Sequence, residues 1–142
     1  MAPRLRAEHD LLPVELSAIE EQLNSDNRRL TGRNDDHSLV YVLRDEAGRA
    51  IGIAAGYSWA GIAELELMWV DEACRGRGHG RKLLDAFVAE AAMRGARRIW
   101  VSTHDFQAPD LYEKAGFERT AELAGWPEGH SNIIFCKAIE PQ

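Results

Sequence analysis

The sequence predicts a mixed α/β fold, and three observations carry that prediction. Two β-rich runs, residues 38–44 and 50–58, flank a glycine-bearing turn at residues 45–49. A strand at Ile62–Val70 leads through a glycine-rich run into an amphipathic helix, and another apolar strand at residues 98–103 follows that helix. The first observation reads as an antiparallel hairpin, the other two as a strand–helix–strand crossover. A chain of 142 residues is sized for one domain with a real core, so residues 1–142 are read as a single domain.

Ahead of the hairpin, Leu12, Leu16, Ile19 and Leu23 recur at three- and four-residue steps with Glu15, Glu20 and Glu21 on the other side, which predicts a helix over residues 11–23. Residues 24–37 are polar, carry Asn24-Ser25-Asp26-Asn27, and read as a loop. Along Ile62–Val70, strict alternation puts Glu64, Glu66, Met68 and Val70 on one face and Leu65, Leu67 and Trp69 on the other. The central helix begins near Gly78, buries Leu83, Leu84, Phe87, Val88 and Ala91, and stops at Arg94-Gly95. Pro109–Lys114 reads as a short helix closed by Gly116, and residues 132–138 as the last strand.

A formal net charge of −6 argues against nucleic-acid and anionic-membrane partners, which need a positive face. Cys74 and Cys136 have no metal-ligand spacing, and two cysteines make no disulfide framework. No stretch reaches the ~18 apolar residues of a spanning helix and residues 1–10 lack the apolar run of a secretory signal, so a cytoplasmic location is expected.

Chemistry concentrates in Asp71-Glu72-Ala73-Cys74-Arg75-Gly76-Arg77-Gly78-His79-Gly80-Arg81. Glycines let the backbone approach a ligand closely, and a helix start offers unpaired N–H groups and a partial positive charge, so the run predicts an anion site. Arg75, Arg77 and Arg81 favour phosphate. Glycines at 76, 78 and 80 miss the Gly-x-Gly-x-x-Gly spacing of a dinucleotide fingerprint, and Gly80-Arg81-Lys82-Leu83 lacks the Lys-Ser/Thr of a nucleoside-triphosphate loop. An Arg-Gly nucleic-acid segment and a turn of merely solvated arginines are the remaining alternatives.

The same run resembles the GNAT superfamily of N-acetyltransferases. That signature, Arg or Gln, two residues, Gly, one residue, Gly or Ala, is met by Arg75, Gly78 and Gly80 behind the Leu-x-Val-like triplet Met68-Trp69-Val70. A second element, Ala108, Tyr112, Glu113, Lys114, Gly116 and Phe117, resembles the family's Ala-x-x-x-Tyr-Glu-Lys-x-Gly-Phe segment, so the likeness spans residues 38–137. The Phe106-Gln107-Ala108-Pro109 string is similar to a bacterial branch. One departure is Asp105, where many members carry an asparagine that bonds pantetheine.

The resemblance implies a mostly antiparallel central sheet with flanking helices and a splayed strand pair that holds acetyl-CoA, the acetyl donor, without a metal. It implies that the backbone of Met68, Trp69 and Val70 pairs with pantetheine, and that Arg75, Gly76, Arg77, Gly78, His79, Gly80 and Arg81 hold the pyrophosphate. An amine of a small molecule or peptide would attack the thioester directly. Tyr112 would protonate the leaving thiolate, a role that suits a phenol with a pKa of about 10. Glu64 or Glu66 would take the amine's proton, and the choice between them stays open. A non-catalytic acyl-CoA sensor is the alternative. The resemblance also implies a homodimer, for which Trp126 in a polar loop is the candidate contact.

Overall fold

The computed structural model describes residues 1–140, and its contacts divide into two compact units, Met1–Asn34 and the remainder from Asp35. The first unit holds α1 (Pro13–Thr31). This helix runs through the polar stretch that composition assigned to a loop. Gln22 donates to the Asp26 carboxylate (3.2 Å), and Arg28 and Arg29 pair with Glu21 (2.9 Å) and Asp26 (3.4 Å), so side chains spaced for a helix sustain it where apolar periodicity has ended. Gly32, in the left-handed region at φ 69°, stops the helix by donating its N–H to Arg28 O.

The second unit is one six-stranded sheet in the order β1-β2-β3-β4-β6-β5. Its strands are β1 (His37–Arg44), β2 (Ala50–Trp59), β3 (Ile62–Val70), β4 (Arg98–His104), β5 (Glu118–Ala124) and β6 (Ser131–Ala138). Helix α2 (His79–Met93) crosses between β3 and β4, and α3 (Pro109–Lys114) follows β4. Every pairing is antiparallel except β3 with β4, as the crossover requires. Strand β5 has no counterpart in the sequence reading. All seven of its residues are exposed, so this edge strand shows no alternation to read.

The core lies where α2 and α3 cover one face of the sheet. Leu83, Leu84, Phe87 and Ala91 of α2 meet Leu65, Ile99, Val101, Ile133 and Phe135. Val88, expected in the buried stripe, is half-buried at its margin, while Ala92 is buried instead. Each large apolar side chain buried here contributes about 1.5–3 kcal/mol, which makes this face the rigid base for what lies on the facing strand edges.

Two irregularities of β3 shape those edges. Its parallel ladder with β4 runs only from Ile62 opposite Arg98 to Leu65 opposite Val101. Beyond that point β3 stays paired to β2 as far as Val70 and β4 to β6 as far as His104, so the two strands part and leave unpaired inner edges. The second irregularity is a β-bulge: Ala55 faces Leu67 while Gly56 faces Leu65, so Glu66 has no opposite number. The bulge overturns the expected alternation. Ala63 and Leu65 point into the core before it, Met68 and Val70 after it, and Leu67 and Trp69 are exposed. Glu64 therefore shares its face with Leu67 and Trp69, not with Met68 and Val70. Gly56 permits the bulge, since a Cβ there would sit 1.8 Å from the Glu64 carbonyl oxygen.

Candidate active site

A cavity of about 420 Å³ opens where β3 and β4 part. Met68, Trp69 and Val70 form one side, Arg75, Gly76, Gly78, His79 and Gly80 the end, and Phe106, Gln107, Ala108 and Leu111 the other side. Eight of the ten residues expected to hold the donor thus line one space, and the exceptions are Arg77 and Arg81. Arg81 turns along its own helix, its Nε donating to Asp85 Oδ1 (2.9 Å) and its Nη1 reaching Lys114 O (3.4 Å). Arg77 is exposed.

The glycine-rich turn has the shape an anion site needs. Asp71 caps the single 3₁₀ turn Glu72–Cys74 by accepting from Ala73 N (3.0 Å), and Arg75 Nε donates to Val70 O (2.9 Å), fixing the guanidinium at the strand's end. Gly76 (φ 76°) and Gly78 (φ 81°) adopt the left-handed backbone that turns the chain into α2. Gly78 is the N-cap and offers no side-chain acceptor, so the N–H groups of the first turn are left for a ligand at the helix's positive end. Gly80 lies inside that first turn and faces Leu111, and its missing side chain keeps the cavity open.

The three residues expected to do chemistry do not line this cavity. Tyr112 is only 2% exposed and packs against the rings of Phe117 and Phe135, one position beyond the cavity-lining Leu111. Burial pushes its pKa up to about 12, so the phenol keeps its proton throughout the physiological range. Glu64 accepts a hydrogen bond from the Tyr57 hydroxyl (2.9 Å) across the β2–β3 pairing. Desolvation, the bond to Glu64 and the charges of Glu64 and Glu66 raise Tyr57 to about 12. Both carboxylates thus act on one phenol. Tyr57 escaped the sequence reading because the pairing that joins it to Glu64 depends on a register that only the folded hairpin sets.

Asp105 is not among the residues that line the cavity. Its Oδ1 meets His130 Nδ1 (2.8 Å) and its Oδ2 accepts from Ser131 N (3.0 Å). Lost hydration pushes its pKa up, but the bonds from His130 and Ser131 and the nearby His130 and His104 charges outweigh that and hold the carboxyl below its ordinary value. Trp126, 54% exposed, meets His104 edge-on at 5.0 Å. The chain's other cavity-lining residues, Phe106, Gln107, Ala108 and Leu111, were missed as donor contacts although three of them stand in the Phe-Gln-Ala-Pro string.

This architecture recurs in known proteins. The sequence model of the Acetyltransferase (GNAT) family matches residues 5–117. A blasticidin-S acetyltransferase of Streptomyces morookaense is 29% identical over 101 residues, covering 70% of this chain and 74% of that protein. An acetyltransferase of Agrobacterium fabrum is 30% identical over 114 residues, covering 80% and 83%. The crystal structure of an acetyltransferase from Agrobacterium tumefaciens superposes with a TM-score of 0.83 at 27% identity, over 98% of this chain and all of that one.

Proposed function

The chain belongs to the GNAT family of acetyltransferases, and on that premise we propose that it binds acetyl-CoA in the split between β3 and β4 and transfers the acetyl group to a primary amine by direct attack. The observation that carries this reading is the cavity itself, where a parted strand edge, a glycine-rich turn and an uncapped helix start meet. The unpaired edge at Met68 to Val70 suits the amides of pantetheine, and Arg75 with the first N–H groups of α2 suits a pyrophosphate.

In the reaction the amine lone pair forms the C–N bond at the thioester carbon, the C–S bond breaks, and the sulfur leaves as a thiolate. Tyr112 supplies the thiolate's proton, and its raised pKa keeps that proton available at every working pH. The amine arrives charged and must lose a proton before attack. Glu64 and Glu66, both acting on Tyr57, attract the cation and take that proton.

The acceptor is a small-molecule or peptide amine, and blasticidin S, named for one relative, belongs in the first panel assayed. The reading also includes action in the cytoplasm and pairing of two copies through the loop bearing Trp126, which size-exclusion chromatography of Trp126→Ala against wild type checks. Among the described residues no helix is long and apolar enough to cross a membrane. The main test is thiol release from acetyl-CoA with an amine panel. Wild type should turn over, Tyr112→Phe should lose about 10²–10⁴-fold in kcat with coenzyme A affinity intact, and Glu64→Gln or Glu66→Gln should shift activity to higher pH. Coenzyme A binding without turnover of any amine above the Tyr112→Phe level would sink the transfer reading.

A further inference from the structure

The β5–β6 loop, residues 125–130, contributes nothing to the lining of the donor cavity, yet it is bonded to the segment that does. Asp105 N donates to Ser131 O (2.9 Å), Ser131 N donates back to Asp105 Oδ2 (3.0 Å), and the third contact is His130 Nδ1 to Asp105 Oδ1 (2.8 Å). Because Asp105 is held ionised it can only accept, so His130 carries its proton on Nδ1. A carbonyl imposes the same choice on His104, whose Nδ1 donates to Trp126 O (3.0 Å). The loop closes on itself as well: His130 N donates to Pro127 O (2.8 Å), and His130 O accepts from Gly125 N (2.8 Å) and Trp126 N (3.1 Å).

Phe106 sits between these two oriented histidines. Its ring stacks on His104 at 5.2 Å and 21° and meets His130 edge-on at 5.1 Å and 76°. It is also 57% exposed and lines the cavity, so these two rings are a main support for its position. The next residue is held from the same side, Gln107 Oε1 accepting from His104 N (2.8 Å). Asp105, the residue just before that wall, is thereby tied to the neighbouring hairpin.

We propose that Asp105 and His130 form a latch that positions the Phe106–Gln107–Ala108 wall, so that a loop outside the cavity sets the affinity for the coenzyme A moiety. The two are positioning residues, acting through the wall without touching donor or acceptor, and the inference rests on the donor reading above.

The test is calorimetric titration with coenzyme A, alongside the KM for acetyl-CoA and the kcat, for wild type, Asp105→Ala, Asp105→Asn, His130→Ala and the double alanine variant. Asp105→Ala and His130→Ala should each weaken coenzyme A by about tenfold, the scale of one lost hydrogen bond to a charged group, with kcat at saturating donor within about twofold. The double variant should lose no more than the Asp105 variant, because both substitutions open one latch. Asp105→Asn, whose amide oxygen still accepts from Ser131, should recover most of the affinity. A purely structural role would lower the melting temperature of the ligand-free protein and leave affinity and KM unchanged, which overturns the inference. Additive losses in the double variant overturn it too. Should Asp105→Ala fold poorly, His130→Ala on its exposed loop carries the same expectation. If wild type itself does not bind coenzyme A, the donor reading fails and the latch falls with it; if wild type binds and the variants bind equally, only the latch fails.

Discussion

Replacing Gly56 by alanine tests the geometry on which the site depends. The new Cβ would lie 1.8 Å from the Glu64 carbonyl oxygen, 2.9 Å from its carbon and 3.2 Å from Glu66 N, all backbone atoms that no rotamer change can clear. An ordinary contact begins near 3.4 Å, so β2 and β3 must separate locally by about 1.6 Å. That movement exceeds the tolerance of an N–H···O bond and breaks the ladder bonds around the bulge, at about 1 kcal/mol each, besides disturbing the buried Ala54 and Leu65. The expected loss is about 2–4 kcal/mol, a large share of the 5–15 kcal/mol typical of a domain. Urea denaturation followed by circular dichroism measures it, and the same sample should bind coenzyme A poorly, because the bulge lies where the strands begin to part. A variant within 0.5 kcal/mol of wild type, the ordinary range for a harmless surface change, would refute the claim that glycine is obligatory there.

Gly78 and Gly80 should separate stability from binding. Gly78→Ala places a Cβ in open space but at φ 81°, costing about 1–2 kcal/mol in a melt, whereas Gly80→Ala meets Leu111 at 3.6 Å, an ordinary contact, and should leave the melt unchanged or raised. Both should weaken coenzyme A in the same titration, because Gly80→Ala adds its methyl to the cavity's end. Tyr112 predicts alkaline sensitivity: an unfolded tyrosine ionises near pH 10 and the folded one near 12, so the unfolded chain binds fewer protons in between and stability falls as pH rises through that window. Tyr112 should account for about 2 kcal/mol of the urea stability lost between pH 10 and 12, beside a smaller part from the more exposed Tyr57, and Tyr112→Phe should remove the Tyr112 part of the slope.

Much of this was legible in the sequence because local rules governed it. The hairpin, the crossover and the closing glycines sit where alternation, helical spacing and turn chemistry put them. The second half of α1 was not legible, since Glu21, Asp26, Arg28 and Arg29 hold it by pairing rather than by apolar periodicity. Strand β5 was hidden by its complete exposure. At the site, glycine and charge alone singled out Arg75 to Gly80, all of which but Arg77 line the cavity. The faces of Glu64 and Met68 were not, because a single unmatched residue at Glu66 reverses the alternation downstream of it. The Asp105–His130 contact joins positions 25 residues apart through two loops, which no periodicity announces.

The short parallel ladder between β3 and β4 has one more implication. Four residue pairs, together with the Arg97 N to Gly61 O bond (2.8 Å) ahead of them, make the main-chain seam between a half-sheet of β1, β2 and β3 and another of β4, β6 and β5. A molecule lying along the parted edges would continue that seam as an inserted strand, suturing two halves that otherwise share little main-chain bonding. Occupancy by the donor should therefore appear as cooperativity: raised melting temperature with coenzyme A concentration, and slowed amide exchange at Ile62 to Leu65 and Arg98 to Val101 as well as at the edges it covers.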